Sequence, residues 1–224
     1  MKPLLAILNI FIDPPEAVKN MEGKFAWVPP VILASVAGII AGTMMAPIAL
    51  QVMRTNPPGN LSGEPLERAL SMMETMSKAQ IVVAPLMLIV MCALATLVLF
   101  GTCSVMDVKT TFGRLFTLVS HCWLVMVVAQ VASLIVLKFK GEITSMRELQ
   151  PSFGLDMFLP EGSSGVVVGM AKFFGLFNIW YFVVLVVGLA ALLNVPKGKA
   201  FGVALPLIVL SFVFGVAGAM FSNR

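Results

Sequence analysis

Five apolar stretches, none containing an acidic residue, constrain this chain more than anything else in it. They run Trp27–Met53, Ala79–Cys103, Leu115–Leu137, Phe173–Asn194 and Ala200–Phe221. Each exceeds the roughly 20 residues that an α-helix needs to cross about 30 Å of hydrocarbon. In lipid every backbone N–H and C=O must be satisfied internally, which leaves helices or closed barrels. Continuous apolar runs are not the alternating pattern of barrel strands. The expected fold class is therefore all-α: a polytopic membrane bundle of five transmembrane helices, with residues 1–224 forming one membrane domain and the lipid bilayer as its first partner. A mean hydropathy of +0.99, with 59% hydrophobic and 12% charged residues, excludes a soluble domain. The net charge of +4 is small and scattered, so a nucleic-acid partner is not expected.

The N-terminus resembles a signal peptide only superficially. Lys2 precedes an apolar run from Leu4 to Ile12, but Asp13-Pro14-Pro15-Glu16 follows in place of a small-residue cleavage site. A short interfacial helix is expected instead. Asp13 can then cap a second helix that carries proline in its first turn and runs to Met21. Trp27 suits the headgroup boundary.

Span one carries Ala34, Gly38, Gly42 and Ala46, each four apart. Such a stripe lets another helix approach closely, within the chain or from another protein. Asn56-Pro57-Pro58-Gly59-Asn60 is a turn. From Glu64 to Lys78, Leu66, Leu70, Met73 and Met76 share one helical face, which predicts an amphipathic helix feeding into span two. Pro85 and Pro206 kink spans two and five. Spans two and three form a hairpin around Met106–Gly113, and spans four and five another through Pro196-Lys197-Gly198-Lys199. The longest polar loop is expected from Lys138 to Lys172.

Basic residues set orientation. With the N-terminus inside, Lys2, Lys19, Lys24, Lys109, Arg114, Lys197 and Lys199 are cytoplasmic. Arg54, Arg68, Lys78, Lys138, Lys140, Arg147, Lys172 and Arg224 then spread over longer outer segments. The density favours N-in and C-out.

Candidate chemistry is sparse. Cys92, Cys103 and Cys122 lie within or at the ends of spans and show no CxxC spacing, so buried free thiols are expected. His121 is the only histidine, which excludes a multi-histidine metal site; neither a metal nor a cofactor is expected. An ionisable group inside a span is a functional candidate, but a histidine hydrogen-bonded within the bundle is the competing structural reading. Gln130 lies nine residues on and half a turn round, so the two cannot form one relay. Gln130 and Asn178 are expected to pair with each other as buried amides. Gly162-Ser163-Ser164-Gly165 matches the GxSG of intramembrane serine proteases, yet it lies in a loop with no suitably placed base.

Three stretches carry a family resemblance. They are Ile10-Phe11-Ile12-Asp13-Pro14-Pro15-Glu16-Ala17, the turn Gly101 to Gly113 leading into Arg114-Leu115-Phe116, and Phe174-Gly175-Leu176-Phe177-Asn178-Ile179-Trp180. The last is followed by Gly188-Leu189 and Lys197-Gly198-Lys199-Ala200. They resemble the bacterial branch of the YIP family, five-span proteins named for yeast Ypt/Rab-interacting membrane proteins. Gly175 stands where many relatives carry aspartate. The long cytosolic N-terminal region and DLYGP motif of eukaryotic members are missing. The resemblance implies a five-span bundle, N-in and C-out, in a bacterial inner membrane, with some relatives accompanying ABC-type export systems.

The expected function is a non-enzymatic membrane scaffold or accessory subunit acting through helix–helix contacts, with other membrane proteins or by self-association. A small solute or ion transporter or channel, with His121, Gln130 and Asn178 lining its path, is the alternative. A membrane protease ranks third.

Overall fold

The computed structural model describes residues 2–222 apart from 58, 60, 146, 147, 150 and 161. Pro58 and Asn60 of the expected turn, and Arg147 and Arg224 of the orientation argument, lie outside the described residues. The helices are α1 (Lys2–Ile12), α2 (Pro14–Asn20), α3 (Val28–Thr55), α4 (Glu64–Val105), α5 (Phe112–Cys122), α6 (Leu124–Lys140), α7 (Gly165–Phe173), α8 (Leu176–Leu193) and α9 (Lys197–Ser222). One 3-10 turn covers Leu155–Phe158. No strand occurs among the described residues. The five candidate spans are α3, α4, α5 with α6, α8, and α9. The protein is an all-α polytopic membrane bundle.

The chain divides into two compact units. One comprises residues 1–31, 89–126 and 152–224, the other residues 32–88 and 127–151. In the first, α8 packs on α2, α5 and α9, and α7 packs on α9. Leu118, Val119, Leu185, Leu189, Val203 and Ala204 are fully buried there. In α1, Ala6 and Ile10 are buried, whereas Leu4, Leu5, Leu8 and Ile12 are exposed, a face left for the membrane interface. Asp13 accepts the Glu16 N–H at 3.2 Å, closing the N-terminus of α2, which ends at Asn20. Trp27 is half-buried and meets Phe116 edge-on at 5.5 Å.

The second unit holds most of α3, the N-terminal part of α4 and most of α6. Asn56 Nδ2 donates to the Thr144 carbonyl at 2.9 Å. The amphipathic segment and span two form one helix of 42 residues, about 63 Å long at 1.5 Å per residue. That is twice the hydrocarbon thickness, so its charged N-terminal turns, with the Glu64–Arg68 and Glu74–Lys78 pairs, belong outside the apolar slab. Leu70 is buried on its inner face, whereas Met76 is exposed.

Two expectations need correction. Span three, expected as one helix, is interrupted at Trp123, between α5 and α6. Trp123 keeps αR geometry, and Met126 N–H reaches the Trp123 carbonyl at 2.9 Å in a tighter turn. No proline or glycine marks the place; the Trp123 ring sits edge-on against Tyr181 at 6.4 Å. The polar loop, expected to reach Lys172, ends sooner because α7 forms inside it. Ser164 caps α7 by accepting the Val167 N–H at 3.4 Å, so the GxSG stretch is a helix start. Gly165 and Gly169 bring α7 so close to α9 that an added Cβ would lie 2.7 Å from the Ala219 carbonyl oxygen or the Val216 Cα.

Candidate functional site

His121 is buried. Its Nδ1 lies 2.8 Å from the Thr117 carbonyl oxygen, which can only accept, so Nδ1 carries the proton and donates. The neighbouring hydroxyls behave alike. Thr117 donates to the Gly113 carbonyl at 2.9 Å, Ser120 to Phe116 at 2.7 Å, and Thr96 of α4 to Cys92 at 2.7 Å. Each of these four groups turns back on its own helix, the usual answer where lipid offers no partner, whereas the enclosed Ser35 Oγ and Thr110 Oγ1 have no such bond among the described residues. Cys92, Cys103 and Cys122 are buried free thiols.

The two amides expected to pair are Gln130 and Asn178. The two fall in different units, and each finds its surroundings locally. Asn178 Nδ2 approaches the Lys172 carbonyl at 3.5 Å, across the bend from α7 into α8. Gln130 lines a groove of about 610 Å³ in the second unit with Gly42, Ala46, Ala49, Met73 and Gln80. Within the small-residue stripe the four positions differ. Ala34 is buried and Ala46 half-buried. A Cβ on Gly42 would collide with the Gln80 amide, whereas Gly38 has nothing within 4 Å of such an atom.

A larger groove, about 740 Å³, lies in the first unit between α4, α7, α8 and α9, with Trp123 and Met126 on a further wall. Its lining is apolar except for Lys172, Asn178, Tyr181, Ser211 and the Trp123 ring nitrogen. The volume falls in the range of small-molecule sites. Of these residues the sequence marks Asn178 as an intramembrane amide and Lys172 as a basic loop residue. Tyr181 and Ser211 sit inside apolar runs, and their shared wall exists only once α8 and α9 fold back on each other.

Arg114, a basic residue of the turn before span three, has a structural partner. Its guanidinium donates to the Leu192 carbonyl at 3.0 Å, at the end of α8 where carbonyls lack helical partners. Asn194 then ends α8 in the left-handed region, φ 53°, which asparagine tolerates better than most residues. The third stretch quoted above is thereby anchored at both ends, by Asn178 and by Arg114.

No curated protein and no solved structure matches the chain. The Yip1 domain model does, over residues 8–219. That match takes in α2 through α9 and both units, and the chain therefore belongs to the Yip1 domain family.

Proposed function

We propose that this chain is a non-enzymatic scaffold or accessory subunit of a bacterial inner membrane, N-in and C-out, that works by lending helix faces to other membrane proteins. An ABC-type export system is one such partner. The observation that carries the reading is the open face of α3 at Gly38, a notch without side-chain cover inside a row of small residues. Of the most apolar window of α3, 17% is buried within the chain, so most of its surface is left for lipid or another helix. His121 bonds to its own helix, which supports a structural histidine over a transport path.

Crosslinking in mild detergent tests this. A specific crosslinked species is expected, and Gly38→Leu should weaken it about ten-fold, the worth of one close transmembrane packing contact. His121→Leu should leave the crosslinked fraction unchanged. A strictly solitary monomer would sink the scaffold reading, and solute flux lost with His121→Leu would favour the transporter.

A further inference from the structure

The groove of the first unit is mostly apolar along its length, with Ser211 the one hydroxyl on its α9 wall, and cationic at one end. It follows α9 from Leu207 to Gly215, about 12 Å at 1.5 Å per residue. At its Asn178 end stands Lys172, whose ammonium has neither an ion pair nor a hydrogen bond among the described residues. No carboxylate lines the groove among those residues. Asp156, on the adjoining 3-10 turn, is engaged by the Ser152 hydroxyl. α8 begins beside this end with no side-chain cap, which adds the positive end of a helix dipole. One turn further in, Tyr181 is 6% exposed, and its hydroxyl has no hydrogen-bond partner among the described residues. The residue lines the groove, and its hydroxyl is not one of the fully enclosed unpartnered oxygens, so it stays open to an acceptor that a hydrocarbon surrounding does not supply.

We propose that this groove holds one acyl chain of an anionic phospholipid, with the phosphate at Lys172 and Asn178 and an ester oxygen accepting from Tyr181. The tail accounts for the apolar length. An unopposed ammonium beside the Asn178 amide, whose second N–H is left over once the first turns to the Lys172 carbonyl, matches a phosphate, whereas a zwitterionic headgroup would bring a second cation to the same end. A neighbouring transmembrane helix would leave the ammonium without a counter-charge.

Native mass spectrometry tests this on the whole chain, delipidated and then offered phosphatidylglycerol or phosphatidylcholine with identical tails. Phosphatidylglycerol is expected to be retained about five-fold better, the worth of one basic side chain beside an anionic headgroup. Lys172→Gln, at an exposed position, should erase that preference. Ala95→Leu fills the groove and should abolish retention of both lipids; Leu210→Phe serves if the first variant fails to fold. Tyr181→Phe should weaken both lipids while leaving the headgroup preference intact. Equal retention of the two lipids, or a preference that survives Lys172→Gln, overturns the proposal. So does displacement of the lipid by inorganic phosphate alone, or a second polypeptide occupying the groove.

Discussion

An added Cβ at Gly188 would lie 2.7 Å from a methyl of Leu118, whereas at Gly101 nothing lies within 4 Å. Both are glycines inside apolar helices, and no pattern along the chain tells them apart. Gly188→Leu should therefore cost about 1–3 kcal/mol through overpacking, while Gly101→Ala should leave thermal unfolding in detergent unchanged or raise its midpoint. An unshifted midpoint for Gly188→Leu would refute the close packing of α5 on α8. Arg114→Met should cost about 1 kcal/mol, because it removes a cation from the carbonyl end of α8; the same melts measure it. The burial of His121 follows from its place in an apolar run, and so was readable in advance. Its partner was not, because a histidine can bond along its own helix or across to another.

The long helices were legible as elements because lipid demands unbroken apolar length, which is a property of consecutive residues. The short ones were not. α7 has nine residues, too few for length to announce it, and it exists because Gly165 and Gly169 fit against α9. Gly169→Leu would force a side chain against the Val216 backbone, which cannot yield as a flexible side chain can. Hydrogen exchange should then accelerate across 165–173 while α8 stays protected; an unchanged α7 would contradict the docking. The loop after α6 has its own clamp. Glu148 accepts from the Thr144 N–H at 3.0 Å and lies 3.6 Å from Lys140. The Thr144 N–H, chiefly, holds the Glu148 carboxyl below its ordinary 4.5. Because the folded value is the lower one, this clamp is fully present above the unfolded pKa and is lost as pH falls through the folded one. Amide exchange at Thr144, corrected for its intrinsic pH dependence, should gain relative rate in acid, as pH falls below the ordinary carboxylate range. Glu148→Gln should show no such step.

Over the entire chain, the linear order of residues was enough to establish membrane residence, the number of spans and the family. Each of these depends on local quantities: apolar length, turn residues and short motifs read along one strand of sequence. The division into two units, the break at Trp123 and the docking of α7 depend instead on which helix meets which. So do the separate surroundings of Gln130 and Asn178, and the groove that gathers Lys172, Tyr181 and Ser211. Apolar faces are nearly interchangeable in a bilayer, since lipid covers any of them about as well as a neighbour does. The hydrophobic pattern therefore says that a helix crosses the membrane but not which side it turns to its neighbours. That choice rests on a few glycines, a ring edge and single hydrogen bonds, whose partners lie tens of residues away along the chain.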